Sequence, residues 1–181
     1  MKIISGGQTG VDCAALDIAI ERGVPWGGWC PKGGWAEDFP DPPGLLNKYP
    51  KLTETPSSRP EQRTEWNVRD SDATLIITDR DGLSASKGTR RAQEWANHYG
   101  KPILVVDISQ PDAAAQVAAW LLAQRKRFGV HMTLSIGGPR ESEAPGSTRA
   151  RACCWITCCI KGVVTLQAMP SYSRSPPKNI L

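Results

Sequence analysis

The chain has 181 residues, 40% of them hydrophobic and 22% charged, the size of one globular domain whose core can stand without disulfide or metal support. Its net charge of +4 does not announce a nucleic-acid partner: Arg151, Lys161, Arg174 and Lys178 lie in a C-terminal stretch without acids, leaving residues 1–150 with 18 basic and 18 acidic side chains. No run approaches about 18 uninterrupted apolar residues, and "MKIISGGQTG" has no apolar leader core, so the expectation is a soluble, cytoplasmic protein with no membrane partner.

In chain order, "KIIS" reads as a strand, and Val11 to Arg22 as an amphipathic helix stopped by Gly23 and Pro25. "PWGGWCP" suits a short second strand. From Pro31 to Pro60 the chain is rich in Pro and Gly, with little periodicity beyond "KLTET", and reads as a functional excursion over the surface. "PEQRTEWNVR" suits a helix opened by Pro60, "ATLIITD" a buried strand, and "GTRRAQEWANHYG" a helix ending at Gly100. "KPILVVDI", "PDAAAQVAAWLLAQRKRFG" and "HMTLSIGG" complete the series as strand, helix and strand. Strands separated by helices of this length pair in parallel through right-handed crossovers, which predicts an α/β, Rossmann-like, doubly wound and mostly parallel sheet with helices on both faces. Residues 1–150 form that domain, and 151–181 an atypical basic tail crowding Cys153, Cys154, Cys158 and Cys159 into "CCWITCC". Cys13 and Cys30, scattered in the main body, fit a reducing compartment.

The loop "SGGQTG" lies between a strand and a helix N-terminus, where backbone N–H groups and the helix dipole favour an anion. Gly6, Gly7 and Gly10 allow close backbone approach, and Gln8 and Thr9 can donate from their side chains; a tight turn with Thr9 or Gly10 near the N-cap is the alternative. Its spacing is neither G-x-G-x-x-G nor the Walker pattern. "SKGT" holds Gly88 and Thr89 in the same kind of position and can border the same crevice, or simply cap its helix. On "RTEWNVRD" a helical period puts Arg63, Asn67 and Asp70 on one face, with Glu65 and Arg69 as i,i+4 partners on another side. Lys32, in "CPKGGWAED", could neutralise an anion, and Glu37 or Asp38 could hold a hydroxyl or ring nitrogen; a loop of scattered charges is the alternative. Cys30 without partner ligands reads as a small buried residue. In "GGPRESEAPG", Arg140 is the natural anion partner and Ser142 a cap for a following helix, while His98 and His131 join no visible triad or metal motif.

Taken together, "ISGGQTGVDCAALDIAI", "GGWCPKG" with "AED", "RTEWNVRDSDATLI", Gly88-Thr89 and "GPRESEAPG" resemble the molybdenum-cofactor carrier family, part of a Rossmann-like superfamily that includes the phosphoribohydrolases often labelled lysine decarboxylases. The resemblance covers roughly residues 1–146. It implies a non-enzymatic carrier that binds the molybdenum cofactor (molybdopterin) or a molybdate-like oxyanion, protects it and delivers it to molybdoenzymes, and that assembles as a homo-oligomer. It further implies Gly6, Gly7, Gln8, Thr9 and Gly10 on the phosphate or oxyanion, Gly88 and Thr89 across the crevice, and Lys32, Arg63, Asn67 and Arg140 in the wall. The chain departs from the family pattern at Cys13, where Arg is usual, at Lys87, where a further Gly is usual, and at Gly34-Trp35, where a basic pair is usual. The resemblance ends near Gly146, where the family continues into an aromatic residue and a closing amphipathic helix. Composition, charge and pattern change there together, which points to a shifted reading frame; a CC-x3-CC metal or redox site has the right donors without the usual spacing. The alternative functions are a phosphoribohydrolase of the related enzyme group and a nucleotide-sensing module. Against the hydrolase, Gly88-Thr89 is followed by Arg90, Arg91, Ala92 and Gln93, and the first Glu is Glu94.

Overall fold

The computed structural model describes residues 1–79, 86–143 and 156–157. Strand β1 (Lys2–Ile4) leads through residues 5–10 into helix α1 (Val11–Glu21), followed by β2 (Trp26–Cys30), a 3-10 helix (Gly44–Asn47) and β3 (Leu52–Glu54). Helix α2 (Pro60–Arg69), β4 (Ala73–Thr78), α3 (Lys87–His98), β5 (Ile103–Asp107), α4 (Ala113–Phe128) and β6 (Thr133–Gly137) follow. The helix ends have local causes. Pro60 supplies a preset φ at the start of α2, Ser86 Oγ accepts the Thr89 N–H at the head of α3, and Arg125, Lys126 and Arg127 sit where α4 exposes its last carbonyls.

All the pairings are parallel, in the order β3-β2-β1-β6-β4-β5, which confirms the doubly wound expectation. Alternation along the strands divides the two faces. Ile3, Leu75, Ile77, Leu134 and Ile136 pack with Val11, Ala14 and Ile18 of α1 and Val117 and Leu121 of α4 in the main core. Helices α2 and α3 pack together over the opposite face. Ile156, 2% exposed, is buried in the main core, so core packing reaches past residue 150. The remaining tail expectations lie outside the described residues.

Residues 31–60 correct the expectation of a surface excursion. Leu45, Tyr49 and Leu52 are buried against Cys13 and Leu16 of α1 and Cys30 of β2, forming a second apolar cluster. The segment thus clamps the side of α1 that the main core leaves uncovered, with the Tyr49 hydroxyl donating to Asp17 at 2.7 Å. Among the described residues, no helix is long and apolar enough to cross a membrane.

Candidate functional site

The carboxyl ends of β1, β6 and β4 open into a cleft of about 530 Å³ beneath α2 and α3, within the size range of small-molecule sites. Four segments build it. The loop after β1 contributes Gly6 and Gln8, the end of β6 and the turn after it Gly137, Gly138 and Arg140, the head of α3 Lys87, Gly88 and Thr89, and α2 Arg63 and Asn67. Seven of the eleven residues singled out from the sequence therefore meet in one place: Gly6, Gln8, Arg63, Asn67, Gly88, Thr89 and Arg140.

The other four are placed elsewhere, for reasons that can be read from their contacts. Gly7 turns its α-carbon toward Leu45 and Leu52 of the second cluster, and its carbonyl accepts from the Cys13 thiol at 3.1 Å. Gly10 is the N-cap of α1, with φ 81, and faces the Pro139 carbonyl. The Thr9 hydroxyl donates to Glu37 Oε2 at 2.7 Å, away from the cleft. Lys32 is exposed on the loop after β2, its backbone N–H bound to the Ser57 carbonyl at 3.0 Å.

Asn67 lines the cleft, yet its amide is engaged with protein: Oδ1 accepts the Trp29 N–H at 2.9 Å, and Nδ2 donates to the carbonyls of Trp29 and Arg63. Asp70 does not share this wall; it ends α2 and accepts from the Trp29 indole N–H at 2.7 Å. Arg69 pairs with Asp70 rather than with Glu65, which accepts the Tyr99 hydroxyl instead. A neighbouring carboxylate and β2 offered these side chains better partners than the helix periodicity suggested.

The charges of the cleft come largely in pairs. Arg63 Nη1 donates to Asp12 Oδ2 at 2.9 Å, Arg91 pairs with Glu61 at 2.7 Å, and Arg140 pairs with Glu37 at 3.3 Å. Lys87 forms no ion pair among the described residues. Asp12 is fully buried, and burial pushes its carboxyl up, opposed by the Arg63 charge and hydrogen bonds from Arg63 and the backbone N–H groups of Gln8 and Gly138. Glu37 gathers the Thr9 and Ser142 hydroxyls, each at 2.7 Å, and the Arg140 guanidinium, joining three loops at the rim. Cys30 is buried, and burial first, then the Glu54 charge, pushes its thiol up to about 11, which keeps it protonated and apolar.

Uncharged polar groups occupy the deeper part. Thr89 Oγ1, at the head of α3, and Thr74 Oγ1, on β4, are buried without hydrogen-bond partners among the described residues. Asp12, Thr74, Ser135 and Arg91 also line the cleft and were not singled out from the sequence. The hydroxyls on central strands, where a buried parallel sheet is usually apolar, are the signal that could have found two of them. Among the described residues, no group of three or more His, Cys, Asp or Glu is placed to hold a metal ion.

This arrangement defines a Rossmann-like α/β domain with a cleft at the carboxyl ends of its parallel strands, where ligands of such folds commonly sit. The model of the circularly permutated YpsA SLOG family matches residues 3–157, and the chain belongs to that family. The sheet winds outward in both directions from the central pair β1 and β6, in the order β3-β2-β1-β6-β4-β5. Among solved structures, the chain is similar to "Putative molybdenum carrier protein" from Syntrophus aciditrophicus SB, with 37% identity over 88% of this chain and 94% of that chain and a TM-score of 0.75. No curated protein matches.

Proposed function

We propose that the cleft binds the molybdenum cofactor, or a molybdate-like oxyanion, as cargo that the protein holds, protects and delivers unchanged to molybdoenzymes in the cytoplasm. The observation that carries the reading is the Thr89 hydroxyl, 3% exposed and without a hydrogen-bond partner among the described residues, at the N-terminus of α3. A buried hydroxyl without a partner is costly to the folded protein, and here it joins backbone N–H groups and the positive end of a helix dipole, where a phosphate is favoured. The pterin's phosphate fits this position: a Cβ on Gly88 would meet nothing closer than Ser86 Oγ at 3.9 Å, so its backbone is open to approach. Lys87 adds a cation beside it. The cofactor's own dithiolene holds its metal, so this binding mode asks for no protein thiolate.

The related hydrolase reading has less support. Such enzymes place a catalytic Glu pair within a few residues of the Gly-Thr loop, whereas Glu94 is exposed on α3 and lies off the cleft. The test is to mix the purified protein anaerobically with molybdenum cofactor released from a molybdoenzyme, separate by gel filtration, and assay the protein peak for molybdenum and pterin. Both co-elute with the wild type, and Thr89→Val retains about tenfold less, the value of one hydrogen bond to a charged group. Separate elution from the wild type sinks the carrier reading; release of free base from a nucleoside monophosphate replaces it with the hydrolase.

A further inference from the structure

The floor of the cleft is unusual for a parallel sheet. Strands β4 and β6 each have neighbours on both sides, where both faces normally carry Val, Ile and Leu. On the face toward α2 and α3, however, Thr74 of β4 stands in register with Ser135 of β6, which stands in register with Ile4 of β1. Opposite residues on neighbouring strands lie about 4.8 Å apart, so the two hydroxyls form one adjacent pair. They are 1% and 5% exposed, and neither has a hydrogen-bond partner among the described residues.

Three other buried hydroxyls near the sheet behave differently. Thr78, on the same strand as Thr74, donates to the Val106 carbonyl at 3.1 Å, Ser5 to the Ile136 carbonyl at 2.7 Å, and Ser71 to the Val68 carbonyl at 2.9 Å. Main-chain acceptors thus serve those hydroxyls, while Thr74 and Ser135 are left open where the cleft reaches the sheet. Gln8 adds a donor to the same cavity. Its carbonyl is fixed by the N–H groups of Thr9 and Glu37, both at 3.0 Å, and its amide NH2 has no described partner. Val68 and Ile76 supply apolar surface around these groups, and Gly137, opposite Ile76 in the register, leaves room between them.

We infer that Thr74 and Ser135, with the Gln8 amide, form a second subsite that takes the uncharged hydrogen-bonding edge of a planar ring, separate from the anion subsite at the head of α3. A hydroxyl both donates and accepts and an amide NH2 donates, which matches a lactam-type edge presenting donor and acceptor side by side. Apolar walls around a polar floor suit a flat heterocycle standing edge-down, since its faces need no hydrogen bonds. The inference deepens the carrier reading and rests on it for the anion end of the ligand. Pterins and guanine share this edge, so the ring chemistry is assigned and the two sources are separated by experiment.

Binding is measured by calorimetry for wild type, Thr74→Val and Ser135→Ala against four probes: inorganic phosphate, ribose phosphate, a pterin monophosphate and guanosine monophosphate. Each substitution weakens at least one ring-bearing probe about tenfold while phosphate and ribose phosphate stay within about twofold; the ring probe that responds identifies the source. Equal losses on all probes, or unchanged ring binding, overturn the subsite. A wild type that binds phosphate but neither ring probe overturns the subsite and leaves the anion reading standing, whereas failure to bind any probe overturns both. Ligand-free melting gives a second readout: Thr74→Val, which removes an unpaired hydroxyl at constant shape, raises the Tm by about 2–4 °C. A lowered Tm shows that the hydroxyl serves the fold and overturns the assignment.

Discussion

The Arg63 guanidinium lies across Gly6 and donates to Asp12 Oδ2 at 2.9 Å, with the two side chains 13% and 6% exposed. Asp12 also accepts the backbone N–H groups of Gln8 and Gly138, so one carboxylate joins α1, α2, the first glycine loop and the turn after β6. The pair has left water, and its worth depends on staying complete. Asp12→Asn leaves the buried guanidinium without its counter-charge and costs about 3–5 kcal/mol in urea unfolding. Combining it with Arg63→Met costs less than the two single losses added together, because the second change removes the stranded charge. Strict additivity would show that the two residues act independently.

Asn67 makes a prediction that separates holding the fold from touching a ligand. Its amide replaces a backbone partner for β2, bonding both the N–H and the carbonyl of Trp29. Asn67→Ala strands these groups and costs about 2–3 kcal/mol. Phosphate affinity, measured well below the melting transition, stays within about twofold. A tenfold loss of affinity with unchanged stability reverses the assignment.

The strands and helices were legible because the apolar residues of "ATLIIT" and "ILVVD" form short β-branched runs set between helical stretches. The second cluster was not, because Leu45, Tyr49 and Leu52 follow no period; only their burial under α1 brings them together. Arg63, Gly88 and Thr89 were legible from their places near helix starts and on helix faces. In the first loop the sequence left two readings open, since the same Gly and Thr residues make a phosphate cradle or a turn: Gly6 and Gln8 line the cleft, while Gly7, Thr9 and Gly10 face the second cluster, Glu37 and Pro139. Thr74 and Ser135 were hidden inside strand-forming runs, since Thr suits a strand and neither residue breaks the pattern. Asp12 was hidden as an ordinary acid in a first helical turn, its partner Arg63 lying on α2.

Gly138 tests how tightly the turn after β6 closes over the sheet. A Cβ there would stand 2.3 Å from the Ile77 carbonyl oxygen and 2.6 Å from Val11 Cγ2, in the main core. Backbone cannot yield as a flexible side chain can, so Gly138→Ala costs about 3 kcal/mol, the upper end for overpacking. Gly100→Ala is the control: its φ of 60 carries strain, but nothing lies within 4 Å, and the cost is about 1–2 kcal/mol. Chemical denaturation of the two variants gives the comparison, and equal losses would mean that the turn after β6 can move.

Glu37 gives the rim a dependence on pH. Burial raises its carboxyl, but the hydrogen bonds from Ser142, Thr9 and Arg140, with the Arg140 charge, outweigh that and hold it below its ordinary value of 4.5. A carboxyl lowered in the folded state binds its proton more readily when unfolded, so its stabilisation is fully present above the unfolded value and disappears as the pH falls through the folded one. Glu37→Gln keeps the shape and an acceptor oxygen but loses the charge. The Tm difference between wild type and Glu37→Gln is therefore constant from neutral pH to about 5, then shrinks with further acidification. Melting curves at constant ionic strength between about pH 7 and 3 measure it. A difference that persists unchanged into acid would mean that the three hydroxyl and guanidinium contacts do not favour the ionised form, and the link between the loops would then rest on packing.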